Sequence, residues 1–192
     1  NTYAVTNKTP IAVIGEIAKA CGGFVYSHPS EAKLSILPRW KKYAWELATA
    51  NADVVLNTDV IRSMSDQKRT NPRYNTVTLI GGKEASEIYR NRQGRNLIAP
   101  VDSNILFTDR DCVVPKGAEL LSDSGIHIDN NIKMRWADKY NIPLANLSEI
   151  WQVNDPEGAW KGMTRSVAVS VDWDNDAPCV WQTVNIDRYL DS

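Results

Sequence analysis

The sequence predicts an α+β fold, with a small helix-plus-hairpin unit over residues 1–53 followed by a mostly antiparallel β-barrel-like domain over 54–192. Three observations carry that expectation. Residues 9–23 hold one well-punctuated helix. After residue 54 the chain is mostly short strand-like runs separated by turn residues, the texture of a barrel or sandwich. The last thirty residues read as a hairpin. Met163–Val171 sets Val167, Val169 and Val171 against Ser166, Ala168 and Ser170, and Val180–Tyr189 sets Val180, Val184 and Ile186 against Thr183, Asn185 and Asp187. A period of two over this length marks strands buried on one side.

The elements follow in order. Thr9 is a fit N-cap and Pro10 suits the first helical position. Ile11, Ile14, Ile17, Ala18 and Cys21 then keep the three-four spacing of an amphipathic helix, and Gly22-Gly23 stops it. Phe24–Ser27 and Lys33–Leu37 read as a β-hairpin turning at His28–Ala32, and Pro38 ends its second strand. Trp40, Tyr43, Ala44, Trp45, Leu47 and Ala48 suit a turn or two of amphipathic helix, with a boundary at Asn51–Asp53. Val60–Ser65 is a strand candidate, Thr70–Arg73 a turn, Tyr74–Ile80 a strong strand and Gly81-Gly82 a turn. Glu84–Arg92 fits a strand or a short helix equally well. Asn96–Ala99 and Ile105–Thr108 are short strand candidates. Asp109–Gly125 is ambiguous, with one helical turn at Ala118–Leu121. Asn131–Trp136 and the end of Leu144–Val153 read as strands, and Asp155–Gly158 as a turn.

Composition narrows the function classes. A hydrophobic share of 43% over 192 residues is enough to build a core. Twenty-two basic residues against 23 acidic ones give a net charge of −1, which argues against a nucleic-acid binder and against adhesion to an anionic membrane. No apolar run reaches the length of a membrane span, and no signal-peptide pattern opens the chain. A start at Asn1 reads as a piece of a longer protein. Cys21, Cys112 and Cys179 are far apart and odd in number, and read as free thiols in a reducing compartment rather than a disulfide framework or a zinc site. Cys21, on the apolar helix face, reads as packing.

Motif tests return no catalytic constellation, and neither a cofactor nor a metal is expected. Asp172, Asp174 and Asp176 begin like a calcium loop, but Ala177 replaces the turn glycine and Thr183 the closing glutamate. Gly81-Gly82-Lys83 lacks the upstream glycine and the Ser or Thr of a phosphate loop. There is no GxSxG elbow. His28 and His127 are distant in sequence, the first in a turn and the second in a strand-like run. Arg90, Arg92 and Arg95, with Lys68, Arg69 and Arg73, read as a solvated basic face, with an acidic partner surface as the alternative. Seven tryptophans against two phenylalanines suit core packing, with interface anchoring as the sharper reading for some. Trp173, Trp181 and Trp151 are the interface candidates, Trp173 foremost because it falls in a turn.

Three segments together resemble bacteriophage tail baseplate-hub proteins, relatives of the spike barrels of contractile systems: Thr9–Trp40, Arg73–Gly81, and Trp160–Val171 closing through Val180–Tyr189. Residues 83–150 match loosely. The resemblance transfers no catalytic residue. It implies a non-enzymatic structural role in a phage or prophage tail, as a homotrimeric ring linking tail tube and spike, assembled in the bacterial host cytoplasm and carried in the virion tail. It also implies contacts with other tail proteins, with neither nucleic acid nor membrane insertion. A receptor- or carbohydrate-binding barrel at a tail tip is the second reading, and a cell-wall hydrolase using carboxylates the third.

Overall fold

The computed structural model describes residues 6–28, 30–82, 84–90, 94, 96–136, 141–174 and 177–190. These residues form two helices and mostly β structure, and they divide into two compact units. Each unit draws on two separate stretches of chain. The first takes the chain up to Tyr43 and then Pro72–Ser124; the second takes Ala44–Asn71 and Gly125 onward.

In the first unit, helix α1 (Pro10–Ala20) starts at Thr9, whose side-chain oxygen accepts from the Ala12 N–H at 3.4 Å. The hairpin of β1 (Gly23–Ser27) and β2 (Leu34–Pro38) follows, paired Gly23↔Pro38 through Ser27↔Leu34. Within the same unit, Trp40 is buried and donates its indole N–H to Asp123 at 2.9 Å.

In the second unit, a short 3₁₀ turn at Ala44–Glu46 stands where an amphipathic turn is predicted. Strand β3 (Val54–Asn57) leads through the 3₁₀ turn Thr58–Val60 into β4 (Ile61–Thr70).

The chain then returns to the first unit. Strands β5 (Thr76–Gly81), β6 (Glu84–Tyr89) and β7 (Asp102–Ser103) make a three-stranded sheet of order β6-β5-β7. The undecided Glu84 run is therefore a strand, antiparallel to β5. Ile105–Thr108 is not a strand; Phe107 donates its N–H to the Asn104 carbonyl across a turn.

The larger correction lies next. Helix α2 spans Arg110–Ser122, where the sequence predicts only one turn. Asp109 caps it by accepting from the Asp111 N–H at 2.9 Å. Pro115 lies inside it, and its buried face is Cys112, Val113, Gly117, Ala118, Leu121 and Ser122. The spacing is helical, but Gly117 and Ser122 stand where larger apolar residues would reveal it, and an internal proline argues against a helix.

Gly117 is needed for space. A Cβ there would fall 2.6 Å from a side-chain carbon of Ile88 on β6. Gly→Ala inside a helix ordinarily gains roughly 1 kcal/mol. Gly117→Ala is instead expected to cost about 1–3 kcal/mol in chemical denaturation, because overpacking outweighs the propensity gain.

In the second unit, β8 (Ile126–Arg135), β9 (Ile150–Asp155), β10 (Gly158–Asp174) and β11 (Ala177–Leu190) join β3 and β4 in a six-stranded sheet of order β3-β9-β10-β11-β8-β4. All pairs are antiparallel except β3 with β9. One face carries the core: Leu56, Ile132, Met134, Trp151, Val153, Trp160, Val184 and Ile186 are buried together. Gln182 lies within this face. Its amide accepts from Ala145 N at 3.1 Å and donates to the Pro143 carbonyl at 3.1 Å, holding the loop before β9 over the sheet.

The predicted barrel is not closed, since no pairing joins the edge strands β3 and β4 among the described residues. These two edges are nevertheless consecutive in the chain, separated only by Thr58–Val60. Four residue steps span at most about 14 Å, whereas the edges of a flat six-stranded sheet stand roughly 24 Å apart. The sheet must therefore curl.

Candidate interface and a buried ion cluster

The closing hairpin positions the leading candidate. Residues directly opposite each other in an antiparallel pair share a face. The register Val167↔Val184, Val169↔Gln182, Val171↔Val180 and Trp173↔Pro178 thus puts Val167, Val169, Val171 and Trp173 on the face that carries the core. Val167 packs against that core and Val184 is fully buried. Beyond them the β10 side of this face is exposed, with Val169 at 50%, Val171 at 59% and Trp173 at 76%, although Gln182 opposite Val169 is buried. Alternation predicts one-sided burial along the whole hairpin, and this holds only at its base. The reason lies in strand length. β9 pairs with β10 only as far as Met163, and β8 pairs with β11 only from Trp181 onward, so residues 171–174 and 177–180 form strand pairs only with each other.

The three candidate tryptophans occupy different environments. Trp173 is at the bare end. Trp181 is half-buried on the opposite face, with the Lys133 ammonium 5.1 Å from its ring centre. Trp151 is buried in the core of the second unit and donates its N–H to Glu149 at 3.1 Å. The hairpin pairing runs to Asp174↔Ala177, so Asp172 sits in a paired strand opposite Cys179, not in a calcium loop. Asp176, Lys83, Arg92 and Arg95 lie outside the described residues.

A second constellation escaped the sequence reading. On the other face of the same sheet, Asp187 of β11 is buried and accepts from two directions. His127 Nδ1 of β8 lies 2.7 Å from Oδ1, and Arg165 of β10 donates from Nε at 3.1 Å and Nη2 at 3.0 Å to Oδ2. Arg69 of β4 reaches the same Oδ2 at 3.4 Å and Asp129 at 3.3 Å. Tyr189 stands edge-on to His127, with ring centres 5.3 Å apart.

The backbone explains the convergence. Asp129 is opposite Asp187, while His127 is opposite both Tyr189 and Arg69, so all share one face. Arg165 joins them because it is the extra residue of a bulge between Thr164 and Ser166, which re-aims its side chain. Burial alone would raise the Asp187 carboxyl. The His127 hydrogen bond and the Arg165 charge outweigh burial and hold it below its ordinary value of 3.8. The His–Asp pair is fully buried and its carboxylate is saturated by guanidinium groups. The cluster ties β4, β8, β10 and β11 together.

A groove of about 1090 Å³ in the first unit includes Leu79, Glu87, Ile88, Phe107, Asp109 and Val113 in its lining. It holds two carboxylates, but Asp109 is engaged as the cap of α2. Among the described residues, no group of three or more His, Cys, Asp or Glu side chains is placed to hold a metal ion. Among them, no helix is long and apolar enough to cross a membrane.

No family model matches the chain, and no curated protein matches it. Solved structures do. The chain is similar to the tail protein from Neisseria meningitidis MC58, with a TM-score of 0.59 and 14% identity over 96% of this chain and 56% of that one. It is also similar to the 43 kDa tail protein of prophage MuSo2 from Shewanella oneidensis, with a TM-score of 0.57 and 16% identity over 96% of this chain and 54% of that one. The chain therefore has the fold of these tail proteins and spans a little over half the length of each.

Proposed function

We propose that the chain is a structural component of a phage or prophage tail, a baseplate-hub or tail-tip element that links tail tube and spike and carries out no reaction. The observation that carries this reading is the likeness to two tail proteins over 96% of the chain. In it, copies assemble as a homotrimer, in the host cytoplasm and without a cofactor, and are carried in the virion tail. The curled six-stranded sheet acts as a split barrel wall. A closed ring needs a patch on each copy that meets a different patch on the next. The bare end of the hairpin supplies one such patch, with Trp173 as the kind of aromatic anchor that dominates interface energies. Trp181 flanks it from the other face, and Trp151 stiffens the strands from inside. A net charge of −1 limits repulsion between copies.

The test is genetic and chemical. Mass spectrometry of purified particles is expected to find the chain in the tail fraction, and deletion of its gene to leave particles without functional tails, restored by complementation. Particles that lack the chain, or intact infectious tails after deletion, would overturn the reading. The exposure of Trp173 also favours the second reading, a carbohydrate- or receptor-binding module, since an exposed indole is a ready platform for a sugar ring. Glycan-array binding lost in Trp173→Ala would support it.

A further inference from the structure

Cys21 caps the C-terminus of α1, and Cys112 lies in the first turn of α2. They are 91 positions apart, yet within the first unit their sulfurs are 3.0 Å apart. The backbone enforces the approach. Gly22 follows the cap with a left-handed φ of +67°, and a Cβ there would lie 2.6 Å from the Pro115 carbonyl oxygen. The end of α1 therefore abuts α2 with no side chain between. Both sulfurs are thiols: Cys21 Sγ donates to Cys112 Sγ, and Cys112 Sγ donates to the Ala20 carbonyl at 3.2 Å. The separation exceeds a bonded S–S distance of ~2.05 Å by about 1 Å, a closure that side-chain rotation can supply.

We infer that Cys21 and Cys112 are an oxidisable pair that a small disulfide, such as oxidised glutathione, converts into a disulfide bond joining the two helices of the first unit. Cys21, the half-buried member, attacks one sulfur of the small disulfide and releases one thiol, leaving a mixed disulfide on Cys21. The Cys112 sulfur then gives up its proton, attacks the Cys21 sulfur and releases the second thiol. Two protein thiols are oxidised, and one small disulfide is reduced to two thiols. The order is fixed by environment. Burial, with the Cys21 thiol beside it, pushes Cys112 up to about 12, so it is a poor first nucleophile at neutral pH. The bond would join the two separate stretches of chain that build the first unit. Its timing, open thiols during assembly in a reducing cytoplasm and a cross-link after release, rests on the tail reading; the chemistry of the pair does not.

The test uses the whole chain, purified reduced, incubated with excess oxidised glutathione, denatured, alkylated and peptide-mapped. The expected result is one species linking the Cys21 and Cys112 peptides and lighter by two hydrogens, with Cys179 alkylated. Tm is expected to rise by about 5–10 °C, reversed by dithiothreitol, because closing so long a loop restricts the unfolded chain. Cys179→Ser should give the same cross-link, and Cys21→Ser should abolish it together with the rise in Tm. Recovery of all three cysteines alkylated, or of glutathione lodged on Cys21 without closure, would overturn the inference. Neither outcome depends on whether the chain belongs to a tail.

Discussion

Asp187→Asn is expected to destabilise the protein by about 3–5 kcal/mol at neutral pH, the cost of removing one partner from a buried ion cluster. At roughly 2–4 °C per kcal/mol for a chain of this size, that is a fall in Tm on the order of 10 °C. The substitution keeps the side-chain shape and removes the charge that His127 and Arg165 surround. Asp129→Asn is the control. Asp129 is more exposed and meets only one guanidinium among the contacts described, so its loss should cost under about 1 kcal/mol. The pH dependence has a definite sign. The folded-state value of Asp187 is depressed, so its contribution is fully present above the ordinary value of 3.8 and is lost as pH falls below it through the folded value. The Tm gap between wild type and Asp187→Asn should therefore stay level from neutral pH to about pH 5 and then shrink in acid. A gap that persists unchanged into strong acid, or an Asp187→Asn variant as stable as wild type, would show that the cluster does not hold the strands.

The second large effect concerns association. Val171→Asp and Trp173→Ala are each expected to weaken self-association by on the order of 100-fold, as truncation of a central anchor or insertion of a charge does at a packed contact. Both side chains are more than half exposed in the single chain, so Tm of the dissociated protein should move little, within about ±0.5 kcal/mol of wild-type stability. This split separates the interface from the cluster: one pair of variants changes assembly and spares the fold, while Asp187→Asn changes the fold.

Much of this was legible in the sequence, for reasons that particular residues show. Thr9-Pro10 and Gly22 bracket α1 because cap chemistry is local. The alternation in β10 and β11 gave their faces because side-chain period is a property of the strand itself. What was not legible depends on distant chain. α2 is disguised by Pro115, Gly117 and Ser122, and only packing against β6 explains the glycine. Periodicity says which side chains share a face but not how far the neighbouring strands reach, so Val169 and Val171 read as buried and are not. The Asp187 cluster needs four strands and a bulge, and the Cys21–Cys112 contact needs two helices far apart in sequence. No spacing in the chain signals either. The interleaving of the two units is hidden for the same reason, since β4 finds β8 across more than fifty residues.

The proposed ring depends on the exposed end of the closing hairpin joining copies of this chain. Sedimentation equilibrium of the intact protein tests it most directly. A mass of three copies in wild type, reduced to one by Trp173→Ala at the same concentration, is the expected result. A single-copy mass for the intact wild-type protein at every concentration, or a three-copy mass indifferent to changes at Val171 and Trp173, would contradict it.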